Sequence, residues 1–173
     1  MRTIATIVLL LVLSLTAQAQ NAQLAQIRKQ YAEAKQQVAD AERLQKEGQP
    51  GNILTVTNSY QMPGCGPTNE TICYYYNGRY DEEVSVVIYR PYLIIRKFNV
   101  AARQVYQEFL FDTDGNAVFF FEKADADELR YYWGQDGFFH ETLKGERSMD
   151  DAFAHRLGDD LKDAFDKLMN RNY

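Results

Sequence analysis

The chain has 173 residues, a formal net charge of −5 and an isoelectric point near 5.1, and it carries 12 Tyr, 10 Phe and 1 Trp. This length suits one domain with a hydrophobic core of its own. The acidic balance supplies no electrostatic footprint for nucleic acid or for an anionic membrane surface, so neither is expected as a partner.

Residues 1–19 read as an export signal. Arg2 provides the positive start, Ile7 to Leu15 the apolar stretch, and Ala17-Gln18-Ala19 a small-residue cleavage site. The apolar run is shorter than the roughly 20 residues a bilayer span requires, so no membrane insertion is expected. No cysteine follows the cleavage site, which argues against a lipid anchor. The expected product starts at Gln20 as a single α+β domain over 20–173, in the periplasm or secreted.

From Gln20 to about Glu47 the chain is rich in Ala, Gln, Lys and Glu, all strong helix formers, and has no Gly or Pro. Leu24, Ile27, Tyr31, Ala34, Val38 and Ala41 form one narrow apolar stripe. The stripe is too short for a sustained heptad seam, so it is expected to pack on the domain's own sheet; the alternative is a dimer through this helix. Gly48 and Pro50-Gly51 end it.

Strands are expected at about Ile53–Tyr60, at Thr71–Tyr76 ending in an Asn77-Gly78 turn, and at Glu83–Tyr89 and Tyr92–Val100, divided by Arg90-Pro91. Between the first two lie Cys65 and Cys73. In an exported protein two cysteines this close in sequence predict a structural disulfide, since a metal or redox site would want further ligands or a C-x-x-C spacing.

Four more strands follow at Gln104–Phe111, Ala117–Lys123, Leu129–Trp133 and Phe138–Leu143. They contain a weak repeat with an offset of 22 residues. Phe109 to Phe120 and Tyr131 to Phe139 each pair spaced aromatics with Asp-Gly and then two phenylalanines. Asp-Gly between alternating apolar residues is a strong hairpin signal. Ser148, with Asp151 three residues on, resembles a capping box, and Met149, Ala152, Phe153, Leu157, Leu161, Ala164, Phe165 and Leu168 make an amphipathic terminal helix. Gly158 in that helix predicts a close approach to the sheet or a kink. Together these elements predict an antiparallel β-meander of about seven or eight strands with an N-terminal and a C-terminal helix packed on one face; a closed β-barrel is the alternative.

Catalytic signals are sparse. His140 and His155 are the two histidines, and neither adjoins a G-x-S-x-G or a glycine-rich phosphate loop. Acidic residues gather at turns and on an exposed helix face, where charge runs are usually solvated. Asp112-Thr113-Asp114-Gly115-Asn116 departs from the EF-hand pattern in its glycine position and its flanking strands, so it predicts a turn and no metal. No cofactor is expected.

The aromatic surplus is the anomaly. Consecutive aromatics such as Tyr74-Tyr75-Tyr76, Phe119-Phe120-Phe121 and Tyr131-Tyr132-Trp133 fall on both sides of a sheet, because alternate residues face opposite ways. One set builds the core; the other is expected on an open face that binds a protein or small ligand, with Tyr75, Arg96, Arg130, Tyr132 and His140 as candidate contacts. The expected role is therefore a non-catalytic binding domain. An envelope or glycan hydrolase and a structural or inhibitory partner protein are the alternatives.

The stretches Ile27-Arg-Lys-Gln-Tyr-Ala-Glu-Ala-Lys35, Pro63-Gly-Cys-Gly-Pro67 and Leu129-Arg-Tyr-Tyr-Trp133 resemble small exported proteins of unknown function from Bacteroidetes-type bacteria. The paired hairpins are also similar to MORN-like repeats, although two copies are too few for an array. These resemblances imply a Gram-negative periplasm or cell exterior and no catalytic residues.

Overall fold

The structure, a computed structural model, describes residues 2–83, 85–134, 137–146 and 149–170, with side chains from Gln18 onward. Helix α1 (Arg2–Lys46) leads into strands β1 (Ile53–Met62), β2 (Gly66–Asp81), β3 (Val86–Val100), β4 (Arg103–Phe111), β5 (Ala117–Ala124), β6 (Asp127–Trp133) and β7 (Phe139–Lys144), and helix α2 (Asp151–Met169) follows. The seven strands form one antiparallel sheet in sequential order, not closed into a barrel. The α+β meander with a helix at either end is therefore the fold.

Seven strands appear in place of eight because Glu83–Tyr89 and Tyr92–Val100 belong to one long β3. Pro91, which has no N–H for the ladder, sits where the β2–β3 register shifts between Tyr75 and Tyr76. Asn77-Gly78 is not a turn. Asn77 pairs with Arg90 and Gly78 with Tyr89, and the hairpin closes beyond Asp81. Gly78 is instead where the Tyr89 ring crosses the strand: a Cβ there would come within 3.2 Å of that ring.

The sheet has two apolar faces, and each carries its own helix. On one face Tyr75, Leu93, Leu110, Phe119 and Tyr132 lie in one cross-strand row, beneath Ile27, Ala34, Val38 and Ala41 of α1. On the other, Tyr74, Ile94, Phe109, Phe120 and Tyr131 form the equivalent row beneath Ala154, Leu161 and Phe165 of α2. This corrects the expectation that both helices share one face. The consecutive aromatics are the cause: Tyr74-Tyr75, Phe119-Phe120 and Tyr131-Tyr132 make both faces apolar, and two apolar faces need two covers. The apolar stripe of α1 is thus used within the chain.

Helix α2 is capped two residues later than the Ser148 signal suggests. Asp150 is its N-cap, accepting the backbone N–H of Phe153 at 3.0 Å, while Ser148 lies outside the described residues. Gly158 is a close approach: a Cβ there would come within 3.1 Å of the Phe109 ring.

Two further expectations concern the loops. The Asp112–Asn116 turn forms as predicted, with the Asp112 Oδ1 accepting N–H groups from Asp114 at 3.0 Å and Asn116 at 2.8 Å. Gly115 there has φ +86°, in the left-handed region that glycine tolerates. In the second hairpin Asp136 lies outside the described residues, but Gly134 N–H donates to the Phe138 carbonyl at 2.9 Å.

The predicted disulfide is absent: Cys65 and Cys73 are both free thiols. Cys65 occupies the β1–β2 turn and Cys73 lies well inside β2, opposite Thr55. Eight residues of extended chain at about 3.3 Å each separate the two by more than about 20 Å, whereas a disulfide needs Cα atoms within about 7 Å. The short sequence spacing misled because the intervening chain is strand, not loop.

Candidate functional site

Neither sheet face is left as a bare aromatic platform. Tyr75 is buried beneath α1, where its hydroxyl donates to Glu42 at 2.8 Å. Tyr132 is buried in the same row, four strands along the sheet, with the Arg28 guanidinium 5.7 Å from its ring centroid. His140 faces Tyr132 across the β6–β7 pair with ring centroids 5.7 Å apart. Arg130 lies two residues before Tyr132 on the same face, 4.7 Å above the Phe121 ring and 3.1 Å from Glu128. The structure therefore brings Arg130, Tyr132 and His140 together, and leaves Tyr75 at the far end of their face.

Arg96 is on the opposite face. Its guanidinium binds Glu70 at 2.5 Å and the Gln107 amide oxygen at 3.1 Å, and it stacks 4.3 Å over Phe98. Gln107 in turn donates to Glu122 at 2.6 Å, and Asn58 donates to Glu70 at 2.9 Å. These five polar residues form a ladder across β1 to β5, with Glu70, Gln107 and Glu122 buried. Buried polar groups of this sort stabilise when their bonds are made, so Arg96 is part of the scaffold.

The α1 face has its own buried carboxylate. Glu108, 2% exposed, accepts Lys35 Nζ at 2.7 Å together with the hydroxyls of Tyr31 and Tyr106. Burial, reinforced by the bonds to Glu108, holds both phenols well above their ordinary pKa of 10. Burial likewise raises Tyr75, with the bond to Glu42 adding to it, and pushes Tyr92 up to about 12. The cluster ties α1 to β4 and leaves no room for a ligand at the Glu108 oxygens.

Three clefts gather at one corner, where α1, the protruding β2–β3 hairpin and the 112–116 turn meet; a fourth, of about 390 Å³, lies on the other side of that turn between α1, Trp133 and His155 and does not reach Arg90. A cleft of about 410 Å³ opens between α1 and strands β2 to β4, with Gln30, Gln37, Asn77, Arg79, Arg90 and Tyr92 at its walls. A wider one of about 760 Å³ lies on the α2 side, between Arg90, the Asp114-Gly115 turn and Lys162, Asp163 and Asp166. A third, of about 500 Å³, follows the hairpin from Arg79 to Glu83. Arg90 borders all three. Its Nη1 donates to the Thr113 carbonyl at 3.2 Å, which fixes it over the turn.

Sequence reasoning missed Arg79 and Arg90. The available signal was Arg90-Pro91: a break in a ladder is where strands splay and side chains are re-aimed. Among the described residues no group of three His, Cys, Asp or Glu side chains is placed to hold a metal ion. The two histidines lie apart, His140 against Tyr132 and His155 against Trp133 with Asp159 at 3.1 Å from its Nδ1. No helix among the described residues is long and apolar enough to cross a membrane. No family model, curated protein or solved structure matches this chain.

Proposed function

We propose that this protein is an exported, non-catalytic binding domain that takes its ligand at the corner around Arg90. The observation that carries this is the distribution of concavity. Both aromatic faces are buried beneath helices, while three clefts converge on one arginine beside a rigid turn. Clefts with a few convergent polar groups are the usual form of a ligand site.

Export is supported by where α1 begins to pack. Among the residues whose side chains are described, Gln18 to Ala22 are exposed and the first buried one in α1 is Ile27, so the packed part of the described helix begins after the proposed cleavage point. A periplasmic fraction should contain a product whose mass begins at Gln20. Recovery of only the full-length chain would overturn the export reading.

The binding reading is tested with the ¹⁵N-labelled 20–173 protein and a fragment library followed by amide shifts. Hits should move Arg79, Arg90, Tyr92 and Thr113. Hits gathering at Phe121, Arg130 and His140 would return the site to the α1-face residues first suspected, and an absence of hits would overturn the binding role.

A hydrolase finds one foothold. Asp114 faces Asp163 and Asp166 across the 760 Å³ cleft, but Lys162 stands among them, 4.0 Å from Asp166. Cleavage of a chromogenic glycoside that disappears in Asp114→Asn would favour it.

A further inference from the structure

We propose that the 410 Å³ cleft between α1 and the β2–β4 end of the sheet binds a small organic monoanion, a carboxylate with a compact apolar body. This inference rests on the protein being a binding domain, and it assigns the ligand class.

Two guanidiniums meet there for a topological reason. Asn77 is the register partner of Arg90, and Arg79 lies two residues beyond Asn77, so both arginines present to the same side of the β2–β3 hairpin. Opposite them, Gln30 and Gln37 are seven residues apart on α1, two helical turns along one face. The floor is apolar and buried, formed by Ala34 and Leu110 of the α1-face core.

Charge decides the ligand. Two acids also reach the rim, but each has company elsewhere. Glu33 lies 3.7 Å from Lys29, and the Asp112 carboxylate accepts the N–H groups of Asp114 and Asn116 and the Asn116 amide. Arg90 donates only to a neutral carbonyl, and Arg79 makes no ion pair among the described residues. The cleft thus offers two planar forks that no described acid holds in an ion pair, Asp81, Glu82 and Glu83 lining the neighbouring hairpin cleft, and such forks suit a carboxylate bidentately. A phosphate dianion would face Glu33 and Asp112 with twice the repulsion and would leave the apolar floor uncovered. Neutral amides on the α1 wall can orient the head without adding charge.

The test uses calorimetry on the 20–173 protein with 4-phenylbutyrate, 4-phenylbutanol and inorganic phosphate as probes. Phenylbutyrate should bind and the alcohol should bind at least about tenfold more weakly, the loss expected when a charge-assisted hydrogen bond goes. Arg79→Gln and Arg90→Gln should each reproduce that loss. Lys123→Gln, which removes an exposed cation of β5 that is not among the cleft residues, should leave the affinity unchanged. Both arginines are exposed, so circular dichroism and the melting temperature should match the parent and separate lost binding from lost fold. Equal binding of acid and alcohol would overturn the anion assignment. Phosphate competing as well as phenylbutyrate would overturn the apolar body. Failure of phenylbutyrate while fragments still shift Tyr92 and Thr113 would overturn the carboxylate alone; failure of every fragment would remove the binding role as well.

Discussion

The two faces of the sheet solve one problem in different ways. Each has an aromatic row under a helix and, beside it, a buried glutamate: Glu108 on the α1 side and Glu122 on the α2 side. Glu108 receives Tyr31 and Lys35 from the helix itself, whereas Glu122 accepts Gln107, which continues through Arg96 to Glu70, all from strands. Helix α1 is therefore held by specific polar bonds to a buried charge, and α2 mainly by apolar packing, with Asn170 fastened to the Tyr89 backbone at its end. Polar attachment fixes register, because a buried carboxylate loses its partners if the helix slides; apolar attachment supplies the larger share of stability.

The sharpest way to break the contrast is Phe165→Ala. Phe165 is fully buried between Tyr74 and Tyr76, with ring centroids 5.4 Å from each. Its loss should cost about 3–5 kcal/mol in urea unfolding, the range for truncating a buried phenylalanine. On the other face, Lys35→Met should cost about 1–3 kcal/mol by leaving Glu108 with one fewer donor. The double variant Lys35→Met/Glu108→Gln should recover part of that loss. Additive losses in the double-mutant cycle would show that Glu108 does not depend on the helix cation.

Gly158→Ala separates helix propensity from packing on the α2 side. Alanine should add about 1 kcal/mol to an exposed helix, but here its methyl would press on the Phe109 ring, which has 0% exposure and nowhere to move. The net result should be a loss of about 1 kcal/mol in the same unfolding assay.

The smallest effect is with pH. Tyr31 and Tyr106 are held above their unfolded pKa of 10, so their contribution is fully present below pH 10 and is lost as pH rises beyond it. Stability measured from pH 9 to 11.5 should fall, and Tyr31→Phe should flatten the fall more than Tyr74→Phe does, since Tyr74 is raised less. Equal slopes in the two variants would erase this difference between the faces.

Much of this architecture was legible. Strand and helix positions followed from periodicity, and the Asp112 turn from its Asp-Gly chemistry. Three features were not. The count of strands depended on whether Pro91 broke a strand or bent it, which the bulge at Tyr92 in β3 decides. The covered second face was written in the doubled aromatics, but a pattern that places apolar groups on both sides does not say whether solvent, ligand or helix meets them. The Cys65–Cys73 pairing failed because sequence distance says little about spatial distance once the chain between is extended. Of the suspected contacts, Arg130, Tyr132 and His140 do cluster, while Tyr75 and Arg96 belong to long-range bonds with Glu42 and Glu70 that no local window reveals.

An open meander also ends in two unpaired edges, and here they are unequal. β7 is short and carries Glu141 and Lys144, charges that discourage a further strand from adding. β1 is ten residues long, Ile-Leu-Thr-Val-Thr-Asn-Ser-Tyr-Gln-Met, without a single charge or proline, and most of its outer half is exposed. Its free N–H and C=O groups are a template for addition, and with β7 guarded by charge the natural partner is the β1 of a second copy. Colloidal behaviour at high concentration is thus governed from this one margin, and Thr57→Lys is the change that should quiet it.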